Sequence, residues 1–411
     1  MDVENLRNKY PQLLEYMSAV GYSKNYVQVV RHMIEIFLSS SQRWKSYDAV
    51  LDYYEKTALN RKDLSKKKSV LNLIASFDCN DVLPRERNTE TYFKSVSSYD
   101  YLNPEFQSLV DYYRSNVYRR LKKETTICNE CWNVSSFLMC LQKSGCNSLK
   151  EATERDILAA FTDESGYPTK SASYAGQITA VIKHLSQWNV DCQKILMYIP
   201  AIRKHRKNIQ FLTADERIKV KAALKDTGNN LSYRDRAIGH LLYFTGLRCC
   251  DISNLRLSDI DLDKDEITIT QQKTDVPLKL SLSAIVGNAI YDYVIEERIK
   301  SDIPYIFLSC NPPYCKLKPG SIGAIANQIY KNAEIRQSLS DRRGGHLFRH
   351  NFATTMLENG VPRIVISKTM GQTSPASAET YLSADMVHLK ECSLSIDAFP
   401  VRKGVFGSEQ L

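Results

Sequence analysis

The segment Gly344-Gly-His-Leu-Phe-Arg-His350 concentrates more chemistry than any other stretch of this 411-residue chain. His346, Arg349 and His350 lie three and four residues apart, so on a helix their side chains share one face. A guanidinium offers paired charged donors, a helix N-terminus offers backbone N–H groups, and two preceding glycines allow close backbone approach. Together these suit a phosphate. The spacing of His346 and His350 also matches zinc-protease helices. That motif needs a glutamate where Leu347 stands, and Arg349 repels a cation, so no metal is expected here. Two capping or core histidines remain the plain alternative.

Three further segments carry candidate groups. In Tyr243-Phe-Thr-Gly-Leu-Arg-Cys-Cys-Asp-Ile-Ser-Asn-Leu255 one helix ends at Thr245, Gly246 turns the chain, and Arg248 starts the next helix. Asp251 follows one turn later and can hold the guanidinium, while Ile252 and Leu255 pack inward. Gln271-Gln-Lys-Thr274 puts Lys273 at the tip of a hairpin, a position usually given to solvent. Met370-Gly-Gln-Thr-Ser-Pro-Ala-Ser-Ala-Glu-Thr-Tyr-Leu382 breaks a helix at glycine, runs through a polar loop containing Gln372, and places Tyr381 on a short helix. One tyrosine among 24 means nothing alone.

The elements that must position these residues form an α+β pattern, mainly helices with a small antiparallel sheet. The chain is too long for one ordinary domain. Region one, 1–100, is helical, with an amphipathic helix from Val27 to Leu38, a basic stretch from Arg61 to Lys68, and a polar linker at Pro84–Asn88 and Ser95–Asp100. Region two, 104–205, is helical, with an apolar face of Phe106, Leu109, Val110, Tyr113 and Val117. Helices around Phe137–Leu141, Ile157–Phe161 and Tyr174–Trp188 follow. Region three, 209–400, opens on a capping threonine at Thr213 and a helix from Arg234 to Thr245. Its strands, Glu266–Thr270 and Val276–Leu282, both alternate, and the first is rich in β-branched residues. Helices near 284–300, 321–335, 346–358 and 362–370 complete it. Phe348, Phe352 and Met356, with Ala353 and Leu357, form the expected buried stripe beside the His/Arg box. A shared Phe-Leu helix ending (Phe37-Leu38, Phe137-Leu138) hints at a distant duplication of regions one and two.

Composition narrows the partners. Hydrophobic residues at 43% and charged residues at 25% describe a folded, globular chain. No run of apolar residues is long enough to span a membrane, and the charged N-terminus does not read as a secretory signal. A net charge of +9 favours a polyanion, nucleic acid first. Arg203, Lys204, Arg206 and Lys207 cluster between regions two and three, where they can ride on phosphates or form a solvated hinge. Eleven scattered cysteines read as reduced thiols in a cytoplasmic setting. The Cys128-Asn-Glu-Cys131 pair falls within a helical pattern, so these cysteines are expected on a buried helix face instead of at zinc.

The order Thr-Gly-Leu-Arg, hairpin Lys, His-x-x-Arg-His, Met-Gly-Gln, Tyr resembles the tyrosine recombinase (phage-type integrase) family across all of region three. The resemblance implies an α+β catalytic domain at 209–400, a helical, SAM-like core-binding domain at 104–205, and an arm-type or additional core-binding-like domain at 1–100. By resemblance Arg248 and Arg349 clamp the scissile phosphate, Lys273 is the hairpin lysine, and His346 is the histidine of the box. Asp251 and His350 support them, and Tyr381 is the nucleophile. Gln372 departs from the histidine or tryptophan usual in the family. Its amide still donates to phosphate oxygen but cannot become a cation, so a slower rate or altered site dependence is expected.

The family implies site-specific cleavage and rejoining of double-stranded DNA through a 3′-phosphotyrosyl intermediate, with no cofactor. It also implies a homotetramer on paired sites, accessory DNA-bending or directionality factors as further partners, and a role in moving a mobile element. A type IB topoisomerase-like activity and a DNA-binding protein without catalysis are the alternatives.

Overall fold

The computed structural model describes residues 3–39, 44–84, 91–93, 96–117, 122–203, 210–338 and 340–372. It divides into two compact units, one of residues 93–207 and one joining 1–92 to 208–411.

The N-terminal part of the larger unit contains α1 (Val3–Ala19), α2 (Lys24–Ser39), α3 (Tyr47–Thr57) and α4 (Arg61–Asn80). Ser46 and Asn60 cap α3 and α4 with side-chain oxygens that accept backbone N–H bonds. Leu13, Met17, Val30, Ile34, Phe37, Leu71 and Ile74 are buried. The basic stretch at 61–68 is the first half of α4, whose second half is apolar. Asp78 lies in this core, where it accepts from Tyr47 at 2.7 Å and from Asn5 at 3.0 Å.

The smaller unit holds α5 (Pro104–Asn116), α6 (Glu124–Lys143), α7 (Glu154–Ala159), α8 (Ala172–Leu185) and α9 (Asp191–Tyr198). Phe106, Leu109, Val110, Tyr113 and Val117 are all buried. Two expectations need correction. Within the expected linker, Ser98–Tyr101 forms a 3-10 turn, fixed by a capping box between Ser97 and Asp100. Cys131 is buried on α6, but Cys128 is exposed. Three residues on a helix turn a side chain about 300°, enough to carry Cys128 off a narrow apolar stripe.

The C-terminal part of the larger unit runs α10 (Ala214–Lys225), α11 (Tyr233–Thr245) and α12 (Cys249–Asn254), then β1 (Ile260–Asp261), β2 (Glu266–Thr270) and β3 (Pro277–Ser281). It continues with α13 (Ala284–Glu296), α14 (Pro319–Asn332), α15 (Gly345–Glu358) and α16 (Arg363–Thr369). The fold is mainly helical with one small antiparallel sheet, ordered β1-β2-β3. Ile267 faces Leu280 and Ile269 faces Leu278, so one face of the hairpin is apolar and enters the core. A capping box of Thr213 and Glu216 starts α10. Arg217 on α10 bonds Glu358 at 2.6 Å and Thr355 at 3.0 Å, fastening α10 to α15.

Helix α15 lies deep in this part. Its buried residues include Leu347, Phe348, Arg349, Asn351, Ala353 and Leu357, whereas Phe352 and Met356 are only partly buried. The expected stripe is therefore rotated and widened, because α11, α14 and α16 pack around α15. Phe348 stacks on Tyr330 at 4.9 Å. A smaller cluster of Ala353, Leu357, Ile366 and Met370 joins α15 to α16.

Candidate active site

Arg248 is the N-cap residue of α12, placed there by Gly246, which ends α11 in the left-handed region at φ 60°. A Cβ at 246 would also run into Phe352. The Arg248 side chain is 13% exposed, and its Nη1 lies 3.8 Å from the Asp251 carboxylate. The other Asp251 oxygen accepts the Gln272 backbone N–H at 3.1 Å, which ties α12 to the hairpin.

Arg349 is 5% exposed on α15. Its Nη1 donates to the Gly246 carbonyl at 2.9 Å and its Nη2 to the Met370 carbonyl at 2.8 Å. Both acceptors are backbone atoms at helix ends, so carbonyl dipoles orient the guanidinium. It keeps its charge without neutralisation at that contact.

Lys273 is exposed at the hairpin turn, where the Gln271 N–H donates to Val276 O at 2.9 Å and Asp275 takes a positive φ of 56°. His346 sits in the first turn of α15. Its pKa is lowered, first by partial burial and then by the positive charges of Arg342, Arg349, Lys273 and Arg248. The same cationic neighbourhood thus contains both arginines and the hairpin lysine. His350 is pushed down to about 4 by burial, with Arg342, His346 and Arg349 contributing. The shifts favour the neutral form of both imidazoles. Gln372 follows α16, with its N–H on Ser367 O at 2.9 Å and its side-chain oxygen accepting from Ser367 Oγ at 3.4 Å.

Among the expected residues, Arg248, Asp251, Lys273, His346, Arg349 and His350 fall in one part of the fold, and Gln372 follows Gly371, which borders it. Tyr381 and the segment after it lie outside the described residues, as do Lys204, Arg206 and Lys207. Arg203 is described and exposed. The two glycines before α15 divide their tasks. Gly344 is the N-cap at φ 79°, whereas Gly345 belongs to the helix, and a Cβ there would strike Cys249 Sγ. Gly345 therefore serves packing, which corrects the expectation that both glycines free the helix end for a ligand.

Sequence reasoning passed over Gln271. It is completely buried and bonds Arg248, Thr274 and Met370 O. The signal was present: Gln271 continues the inward alternation of Ile267 and Ile269, a polar residue in phase with the core.

A phage integrase family model matches residues 210–388. A Sinorhizobium fredii protein that carries the name integrase/recombinase y4gC is 32% identical over 163 residues, 40% of this chain and 83% of that protein. The chain belongs to the phage integrase family of tyrosine recombinases. These enzymes cleave and rejoin DNA.

Tyrosine recombinase XerA of Pyrococcus furiosus is 31% identical over 38% of this chain and 53% of its own length. Tyrosine recombinase XerC of Anoxybacillus flavithermus is 23% identical over 65% of this chain and 89% of its own. In fold, the recombinase is similar to the XerH site-specific recombinase in a post-cleavage complex with palindromic difH substrate. That match has a TM-score of 0.55 and 18% identity over 84% of this chain and 93% of the other. Among the described residues no helix is long and apolar enough to cross a membrane.

Proposed function

We propose that this recombinase cuts and rejoins duplex DNA at paired specific sites through a 3′-phosphotyrosyl bond on Tyr381, in the integration or excision of a mobile element. The observation that carries the reading is the convergence of Arg248 and Arg349, tied through Gln271 and the Gly246 and Met370 carbonyls, beside the hairpin of Lys273 and the helix start of His346. Breaking a phosphodiester without a metal requires an aligned nucleophile, neutralised phosphate oxygens and a protonated leaving group. The two guanidiniums suit the nonbridging oxygens.

Tyr381 Oη loses its proton as it bonds to phosphorus. The bond from phosphorus to the 5′ oxygen breaks, and Lys273 delivers a proton to that oxygen. His346, whose neutral form is favoured by its cationic neighbours, can accept the tyrosine proton, with His350 one turn further along the helix. Asp251 orients Arg248. Gln372 offers an uncharged amide to the phosphate. The phosphotyrosyl bond retains the energy of the broken one, so a 5′ hydroxyl from another strand reverses the step without a cofactor.

Residues 1–100, 104–205 and 209–400 serve in this reading as an accessory helical domain, a core-binding domain and the catalytic domain. Arg203, Lys204, Arg206 and Lys207 ride on phosphates between the last two. The working assembly is a homotetramer on two sites, with accessory DNA-bending or directionality factors joining it. The ten described cysteines are free thiols, in keeping with a cytoplasmic, DNA-associated enzyme.

A suicide duplex nicked beside the cleavage point, taken from the ends of the element that carries the gene, tests the reading. The expected result is a covalent protein–DNA complex that disappears in Tyr381→Phe. Binding without trapping overturns catalysis. Relaxation of supercoils lacking any paired site points to topoisomerase-like action instead.

A further inference from the structure

Gln271 has no role in the chemistry above, yet it touches Arg248, the hairpin that carries Lys273 and the Met370–Gly371 turn. Its Oε1 accepts from Arg248 Nη1 at 2.6 Å and from Thr274 Oγ1 at 3.0 Å. Its Nε2 donates to the Met370 carbonyl at 3.1 Å. Arg349 Nη2 donates to that same carbonyl at 2.8 Å. The amide orientation follows from its partners, since two donors must meet the oxygen and a carbonyl must meet the nitrogen.

Gly371, in the left-handed region at φ 59°, lies against the amide so closely that a Cβ there would collide with it. Thr274 Oγ1 also reaches the Gly371 carbonyl at 3.4 Å. One fully buried side chain thus links the α12 arginine, the residue beside the hairpin lysine, the acceptor of the α15 arginine, and the backbone that leads toward residue 381. A buried primary amide in a core is costly unless its partners are met, and this one is met on both ends.

We propose that Gln271 is a positioning residue that aims the Arg248 guanidinium at the scissile phosphate and registers the hairpin against the Met370–Gly371 turn. The role rests on the strand-cleavage reading above. A buried acceptor that is neutral suits this task better than a carboxylate. It fixes the direction of the guanidinium without neutralising it, so the charge remains available to phosphate. Its second end reports the position of the Met370 carbonyl to the first, so Arg248 and Arg349 share one frame.

The test is single-turnover cleavage of the nicked duplex by the full-length chain, with DNA affinity and melting temperature measured in parallel. Gln271→Leu is expected to slow cleavage about 10- to 100-fold while DNA affinity stays within about threefold, as expected for a group that matters mainly in the transition state. In an Arg248→Lys background no guanidinium remains to be aimed, so the same substitution is expected to cost less than about threefold.

Gln271→Glu covers the case in which the leucine variant does not fold. Its ionised form keeps an acceptor for Arg248 but neutralises it and faces the Met370 carbonyl with a lone pair. Its protonated form restores the glutamine pattern. The rate of this variant, divided by that of the unaltered chain at each pH, is therefore expected to rise as pH falls.

Equal losses in both backgrounds, or a flat Glu-to-Gln rate ratio across pH, overturn the positioning role while leaving the cleavage reading in place. Failure of the unaltered chain to form a covalent complex overturns that reading, and the positioning role with it.

Discussion

Each compact unit holds a cluster of charged side chains, and the two clusters are held differently. In the smaller unit, Glu130 is almost fully buried and meets Tyr113 Oη at 2.6 Å and Lys122 Nζ at 2.7 Å. Lys122 also donates to Tyr113 Oη at 3.1 Å, closing a triangle of one carboxylate, one ammonium and one hydroxyl. In the larger unit, Arg349 is held by two backbone carbonyls, Arg248 by an amide and a more distant carboxylate, and the charges acting on His346 are all positive. The first arrangement is complete and holds α5 to α6. The second gathers cations around His346, the arrangement that the proposed cleavage would use to hold a phosphate.

The sharpest way to break this contrast is to remove one charge from each cluster. Arg349→Ala is expected to lower single-turnover cleavage about 10²- to 10³-fold or more, the loss typical of a donor aimed at developing charge. Glu130→Gln is expected to leave cleavage per folded molecule unchanged. It should lower unfolding free energy by about 1–2 kcal/mol, since the partner Lys122 retains some solvent access. Denaturant titration alongside the cleavage assay reads both. Loss of cleavage from the Glu130 change would show that the smaller unit's charge cluster also acts in the reaction.

Acid probes the histidines of the larger unit next. Burial and nearby cations hold His350 and His240 at about 4, against about 6.5 for an unperturbed histidine. Between these values the unfolded chain binds more protons than the folded one. The contribution to stability is therefore whole above about pH 6.5 and is lost as pH falls toward 4, by up to about 3 kcal/mol for each histidine. His240 stacks on Phe244, and its Nδ1 has no hydrogen bond. His240→Phe is accordingly expected to flatten the acid limb of a denaturation series run from pH 7.5 to 4.5. An unchanged limb would place the acid sensitivity elsewhere.

The smallest effect is expected at Gln372. Exchanging it for histidine adds a titratable donor near the arginine pair. We expect a gain of less than about tenfold in cleavage at pH 7, growing at lower pH as the imidazole gains a proton. A loss of rate would show that the neutral amide is tuned to this cation-rich site.

Much of this organisation was readable before any coordinates. The helix beginning at Thr213 follows from local hydrogen bonding by a side chain that competes for the first-turn N–H groups. The hairpin follows from alternation at 266–270. Other features escaped. Helix α1 and the second half of α4 were passed over, although Leu6, Leu13, Leu14 and Met17 are buried at helical spacing. The stripe on α15 is only partly legible, with Phe348, Ala353 and Leu357 buried and Phe352 and Met356 partly so, because a helix surrounded by others has no single apolar side to read. Gln271 was read as part of a turn because its burial depends on partners 23 residues before it and 99 residues after it.

By itself the amino-acid order determined the kind of chemistry and the periodic elements, since residue type and spacing are local properties of the chain. It placed an arginine after a glycine turn, a lysine in a hairpin, and a His-x-x-Arg box at the start of a helix. Only the tertiary structure decided that the carbonyls of Gly246 and Met370 both grip Arg349, that Gly345 makes room for Cys249, and that one buried amide joins Arg248 to the turn after α16. Those relations depend on distances across the core, which are set by how α11, α15, α16 and the hairpin pack together.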